Sequence, residues 1–270
     1  MKKICLAFTL LFLYFNAFAQ LSPSTSGSDS KKEQRRKKIN AMIKQAEEGV
    51  LVYNRQTTFG VQARSNGYGL FYEMGRMKTP LKSTTYRIDF TEIKHPKENK
   101  FQNVSNPFLI LSNPYVFGKV NNFYQFTIGY GQQRILGQKG NKNGVSVSAL
   151  FNGGLALGLL KPYYVQVEDP VSTQLKFIKY SAADSAVFLG PSIIGSGGFW
   201  RGWKEVKLQP GLFAKTALRF DYGRFNEVVS ALELGLSAEY YTKKVTILAL
   251  QEDKPFFFQG YISILFGRRK

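Results

Sequence analysis

Residues 212–240 read LFAKTALRFDYGRFNEVVSALELGLSAEY. The stretch has a two-residue rhythm. Leu212, Ala214, Thr216, Leu218 and Phe220 take one parity, and Phe213, Lys215, Ala217, Arg219 and Asp221 the other. After YGRF the rhythm resumes, with Leu232, Leu234, Leu236 and Ala238 against Glu233, Gly235, Ser237 and Glu239. Alternate side chains of a strand point to opposite faces, so this is a strand, a tight turn and a strand, with charges confined to one face. In a water-soluble sandwich that face would meet solvent. In a membrane barrel it would line the lumen.

Working outward, alternation of strand type recurs in eight segments, about 53–64, 68–78, 81–94, 121–134, 144–160, 204–221, 226–242 and 255–268. Each is near or beyond the ~9–11 residues that a tilted strand needs to cross a bilayer. The connections sort by parity. If the chain enters from the periplasm, the long ones, 95–120, 161–203 and 243–254, fall on the outer side with the short SNG turn at 65–67. The periplasmic side receives short or glycine-rich turns. A soluble sandwich has no reason to sort loops this way, whereas outer-membrane barrels do. Phe, Tyr and Gly number 23, 15 and 25, and no stretch past the N-terminus approaches the ~18 apolar residues of a membrane helix.

The apolar parities of the fourth, fifth and last segments carry Tyr124, Phe126, Ile128 and Tyr130, then Phe151, Leu155 and Leu157, then Phe258, Ile262, Ile264 and Phe266. Their aromatics lean toward the strand ends, as interfacial girdles do. This pattern over about 50–270 resembles the small eight-stranded Gram-negative outer-membrane β-barrel proteins. The near-terminal Phe266 resembles their closing strand, although Gly267, Arg268, Arg269 and Lys270 follow it. The resemblance implies an all-β, eight-stranded antiparallel up-and-down transmembrane barrel. Ten strands stay open if an outer-loop hairpin joins the wall.

The N-terminus predicts export. Lys2 and Lys3, an apolar run from Ile4 to Phe15, and Ala17-Phe18-Ala19 form a signal peptide over 1–19, cleaved after Ala19. Residues 20–49 read as a periplasmic linker followed by a basic helix at about 31–48. Ser30 and Glu33 have capping-box spacing, Gly49 stops the helix, and Ile39, Met42, Ile43 and Ala46 form a narrow stripe. The barrel occupies 50–270. The only cysteine, Cys5, lies in the signal segment, and there is one histidine. Disulfides, thiol chemistry and structural zinc are therefore excluded from the expectations, and no cofactor or metal is implied. A formal charge of +19 draws the chain to anionic surfaces. Behind a signal peptide those surfaces are outer-membrane lipid and lipopolysaccharide, with other envelope proteins as partners, rather than nucleic acid.

The polar parities predict a lumen network of Arg87, Asp89, Lys215, Arg219, Glu233 and Glu239, joined by Glu73, Arg64 and several amides and hydroxyls. Eight strands leave an interior that side chains roughly fill, where charges are costly unless paired. Centring the hairpin turn on Arg224 places Lys215 opposite Glu233 and Arg219 opposite Val229. At the outer interface GSGGFWRGW (195–203) offers Phe199, Trp200 and Trp203, with Arg201 and Lys204 for lipid phosphates. Two outer stretches are apolar: 106–118, and a predicted hairpin of 161–168 against 173–181. Arg134, Lys139, Lys142, Arg224, Arg268, Arg269 and Lys270 make a basic periplasmic rim.

Catalysis finds little support. His95 sits at the top of the third strand near Glu92, Ser105 and Ser112, but no spacing joins them into a triad, so no catalytic residue is expected. The favoured expectation is a non-enzymatic structural or interaction protein of the outer membrane, with a subunit of an assembly or secretion complex as one role that fits. A small channel or transporter and a lipid-modifying enzyme using His95 are the alternatives.

Overall fold

The computed structural model of the chain describes residues 33, 34, 36, 37, 40, 53–102, 113–140, 143–168, 174–225 and 227–270. The expected signal peptide and linker lie outside them, as does most of the predicted helix and of the apolar stretch 106–118. Residues 33, 34, 36, 37 and 40 are helical, and Lys37 pairs with Glu33 at 3.0 Å one turn away.

From Tyr53 onward alternation governs. The strands, in chain order, are β1 (Arg55–Arg64), β2 (Gly67–Thr79), β3 (Lys82–Ile93), β4 (Lys100–Phe101), β5 (Tyr115–Val116), β6 (Asn121–Gly137) and β7 (Ser146–Pro162). They continue with β8 (Tyr164–Glu168), β9 (Leu175–Lys179), β10 (Ile193–Ser196), β11 (Lys207–Asp221), β12 (Val228–Val245) and β13 (Lys254–Arg269). Eight of them close a barrel in the order β1-β13-β12-β11-β7-β6-β3-β2, every neighbouring pair antiparallel. Closure leaves no unpaired edge, so every wall amide and carbonyl can be satisfied away from water. The β8–β9 hairpin does not enter the wall. It pairs with β10 in a separate three-stranded sheet, so the barrel has eight strands and not ten.

Burial inverts that of a soluble protein. Phe59, Leu70, Ile88, Ile128, Phe151, Leu155, Leu212, Phe258 and Phe266 are exposed on the outside, Leu155 at 67%. Glu73, Arg87, Asp89, Arg219, Glu233 and Glu239 are at most 1% exposed on the inside. Such a wall is stable only against hydrocarbon. Among the described residues no helix is long and apolar enough to cross a membrane; the strands do so. β6 and β7 have 17 residues and β12 has 18, so this flank projects beyond the ~9–11 that the bilayer requires.

Two inward glycines show why the lumen can hold aromatic rings as well as charges. A Cβ at Gly235 would lie 2.7 Å from the Tyr261 ring, and one at Gly129 would lie 2.6 Å from that of Phe213. Each ring packs directly against bare backbone, where any larger residue would force it away.

The quoted hairpin keeps its faces but not its predicted register. Arg219 stands opposite Glu233, and Lys215 opposite Ser237. The connection is longer than YGRF. Tyr222 N–H donates to Ser230 O at 2.9 Å, and the Asp221 carboxylate accepts from Gly223 N–H at 2.9 Å. The pairing therefore moves by four residues. An even shift leaves every side chain on its predicted face.

Candidate functional site

The lumen is filled in layers. In the central layer two cross-strand acid–base pairs face each other. Glu73 and Arg87 are neighbours across β2 and β3, and Arg219 and Glu233 across β11 and β12. The barrel order puts these two strand pairs on opposite walls. Across the lumen they exchange partners. Arg219 donates to both oxygens of Glu73, at 2.7 and 2.9 Å, while Arg87 donates to Glu233 at 2.7 Å. Arg219 also reaches Glu233 at 2.7 Å, whereas Arg87 Nη1 lies 3.7 Å from its neighbour Glu73. The two-pronged geometry of guanidinium on carboxylate suits this bracing between walls.

Asp89 extends the layer. It accepts from Arg87 Nε at 3.1 Å, from Lys215 Nζ at 2.8 Å and from the Thr127 hydroxyl at 3.0 Å. The Tyr261 hydroxyl donates to Glu233 at 2.9 Å, and the Arg87 guanidinium lies 3.6 Å from the centre of the Phe71 ring. The expected partner of Lys215 is thus replaced: it bonds Asp89 on the far wall, not Glu233.

Nearer the outer mouth Arg64 pairs with Glu239 at 2.5 Å and donates to Gln125 at 3.1 Å. Ser237 and Gln259 also donate to Glu239. The six predicted lumen residues are therefore all interior. Five share the central network, and Glu239 belongs to the outer layer. Across the two layers Arg64, Arg87, Lys215 and Arg219 meet Glu73, Asp89, Glu233 and Glu239, four cations against four carboxylates. Buried charge is tolerable under this condition.

An apolar lid closes the mouth above the charges. Inward residues Ile93, Phe123, Leu160 and Tyr241 pack with Val116, Ile247 and Leu248 from the outer connections. Phe123 and Tyr241 are fully buried with ring centres 5.2 Å apart. At the opposite end, the one expected to face the periplasm, Arg269 turns inward rather than joining the basic rim. It pairs with Asp221 at 2.5 Å and donates to Gln56 at 2.8 Å. Lys139 also folds over Asp221, at 3.4 Å, and burial pulls its ammonium below the ordinary lysine range despite that carboxylate. Tyr261 and Asp221 were missed as network members, although both lie on the polar parity of their strands.

His95 is engaged in a turn. Its Nδ1 accepts from Lys97 N–H at 3.2 Å, and its own N–H donates to Glu98 at 3.0 Å. Partial burial lowers its pKa below 6.5, with Glu98 opposing and Lys97 and Lys254 assisting. Glu92 instead accepts from the Tyr68 hydroxyl at 2.5 Å. Ser105 and Ser112 lie outside the described residues. Among the described residues no three His, Cys, Asp or Glu side chains group to hold a metal ion.

The aromatics expected at the outer interface lie on the 197–205 loop. Gly198 and Gly202 have φ of 83° and 87°, a conformation that favours glycine, and the chain folds tightly between them. Trp203 stacks on Tyr124 with centres 5.5 Å apart and donates its indole N–H to Phe199 O at 3.0 Å. Phe199 packs edge-on against Trp203 and Trp200, and Trp200 is 85% exposed. Arg201 is spent on the hairpin, 3.7 Å above the Phe177 ring. The β8–β9–β10 sheet has its own core of Val165, Val167, Ile178, Phe188 and Ile193. Glu205 accepts from Tyr164 at 2.7 Å and from Lys179, which ties sheet to loop and holds the Glu205 carboxyl below its usual range.

No family model and no curated protein matches this sequence. Comparison with solved structures returns small outer-membrane barrels. The N-terminal β-barrel domain of Pseudomonas aeruginosa OprF aligns with a TM-score of 0.36 and 8% identity, covering 80% of this chain and 98% of that one. Ail, the attachment invasion locus protein of Yersinia pestis, in complex with the heparin analogue sucrose octasulfate, aligns at 0.36 and 13%, covering 81% and 100%. Neisserial surface protein A aligns at 0.36 and 12%, covering 80% and 96%. The chain itself carries the assignment: its closed ladder, apolar wall and charged filling are those of an eight-stranded transmembrane β-barrel of the outer-membrane type.

Proposed function

We propose that this chain is a non-conducting, non-enzymatic barrel of the outer membrane that presents its outer loops to other envelope components. One observation carries the reading. Above a lumen filled by matched charges and closed by an apolar lid, the longest outer connection folds into a sheet with its own core. A pore has no use for such filling. A loop ordered to this degree presents a fixed surface, and Leu175, Phe199 and Trp200 stand exposed around it. A subunit of an assembly or secretion complex fits that surface. His95 accepts the Lys97 backbone N–H at Nδ1, and among the described residues no hydroxyl, thiol or amine nucleophile is hydrogen-bonded to its ring, which argues against a general-base role.

The test is affinity isolation of the tagged protein from membranes in a mild non-ionic detergent. A companion retained in fixed ratio, and lost from the Leu175→Ser/Trp200→Ser variant, is expected. Recovery of the barrel alone, under conditions that keep other envelope complexes together, contradicts the subunit role.

A further inference from the structure

On the outer face of β1, β2, β3, β6 and β7, at the end nearest the long connections, lies an open cleft of about 820 Å³. Its floor is the exterior wall, where Leu70 and Tyr68 stand beside Phe90, and Phe90 stacks on Tyr124 with ring centres 6.0 Å apart and planes only 9° from parallel. Trp203 continues this row from above, 18° from the plane of Tyr124, and Phe199 overhangs it. The strand-borne rings, Tyr68, Phe90 and Tyr124, lie on the parity that faces hydrocarbon, near the end of the wall where headgroups are expected.

Lysines gather at the upper edge. Lys94, Lys100, Lys119 and Lys161 line the cleft with Glu92 and Glu98. Glu98 is committed to Lys119 at 2.8 Å, and Glu92 to the Tyr68 hydroxyl. Lys94 lies 4.6 Å above the Tyr68 ring. Lys161 is the telling residue. It is 2% exposed, and its ammonium donates to Phe199 O and faces the rings of Phe199 and Trp203 at 4.6 and 4.9 Å. Among the described residues no carboxylate lies within 4.0 Å of it. Buried cations are otherwise paired, as every cation of the central lumen is.

We infer that this cleft binds a phosphorylated acyl lipid of the outer leaflet, its chains along Leu70, Phe90 and Tyr124 and its phosphate at Lys161, Lys94 and Lys100. The inference rests on the outer-membrane placement proposed above, and it supplies the anion that Lys161 lacks. Phosphate accepts well from several ammonium groups, and the flat rings suit chains lying against the wall. It also moves the phosphate contact away from the expected Arg201 and Lys204. Arg201 is held on Phe177.

The chain's two tryptophans are Trp200 and Trp203, so in a Trp200→Phe background emission reports on the cleft alone. The full-length protein in maltoside micelles is titrated with bisphosphorylated lipid A, with the same lipid dephosphorylated, and with inorganic phosphate. The expected result is a saturable Trp203 response to the phosphorylated lipid, about tenfold weaker for the dephosphorylated one and for Lys161→Gln, the loss of roughly one charge-assisted contact. Lys243→Gln/Lys244→Gln, exposed at the outer end of β12, leaves it unchanged. If Lys161→Gln does not fold, the Lys94→Gln/Lys100→Gln double variant takes its place. Full binding by the cleft variants, equal loss in the β12 variant, or inorganic phosphate bound as tightly as the lipid each overturns the inference. Migration on unboiled gels separates the causes. A barrel that shifts normally but binds unaltered contradicts the site alone, and one that never shifts contradicts the fold.

Discussion

Replacing Arg219 with methionine tests the central bracing directly. Arg219 is 1% exposed and makes two hydrogen bonds to Glu73, at 2.7 and 2.9 Å, and two to Glu233, at 2.7 and 3.1 Å. Methionine fills most of its stem but donates nothing. Glu233 keeps Arg87 at 2.7 Å and Tyr261 at 2.9 Å. Glu73 keeps only Arg87 at 3.7 Å, beyond hydrogen-bonding range, so it becomes a buried, nearly unpaired carboxylate. Breaking one partner from a buried pair costs about 3–5 kcal/mol. Equilibrium unfolding in guanidinium, with the protein in lipid vesicles and far-UV circular dichroism as readout, gives the loss. A double-mutant cycle locates it. Glu73→Gln in the Arg219→Met background should recover part, with a Glu73–Arg219 coupling of about 2–3 kcal/mol. Glu239 touches a different cation, so its coupling to Arg219 should stay below about 0.5 kcal/mol. A loss under about 1 kcal/mol, the worth of an exposed ion pair, would refute the reasoning. Equal couplings at Glu73 and Glu239 would do the same.

Gly235→Ala puts a methyl against the Tyr261 ring and should destabilise the barrel by about 1–3 kcal/mol, seen as a lower midpoint in the same unfolding assay; an unchanged midpoint contradicts the ring packing. His95, the only histidine, should titrate below 6.5 by NMR. Its folded state disfavours the proton, so the stability it contributes is present above about pH 6.5 and is lost as pH falls through the lowered pKa, and His95→Asn should flatten that slope. A midpoint at or above 6.5 contradicts its partial burial. Phe123→Ala with Tyr241→Ala opens the lid but leaves the charges paired, so the protein should fold with reduced stability and still conduct no ions; conductance in this variant would place the seal in the lid instead of the network.

Much of this architecture is legible in sequence because alternation has a period of two, and parity alone sorts wall from lumen. All the predicted lumen charges, from Arg87 to Glu239, are interior for that reason. The predicted hairpin above the membrane is also observed, with Tyr164 opposite Lys179 and Glu168 opposite Leu175. Register was less legible. It depends on how Asp221 caps its turn, a side-chain contact that no periodicity encodes. The pairs across the lumen were hidden for a different reason. Glu73 and Arg219 are 146 positions apart and meet only because closure sets β2 and β3 against β11 and β12. β10 is four residues long in a glycine-rich stretch, too short to show a period. Arg269 looks like part of a basic tail until the inward Asp221 supplies its partner.

The central claim is that the charges confined to one face of LFAKTALRFDYGRFNEVVSALELGLSAEY seal the barrel. Single-channel recording of the purified full-length protein in planar bilayers, under symmetrical high-salt KCl, tests it most directly. The account predicts insertion, verified by protease protection of the wall strands, without stepwise current at any applied voltage. Reproducible discrete conductance steps from the inserted wild-type protein would contradict it.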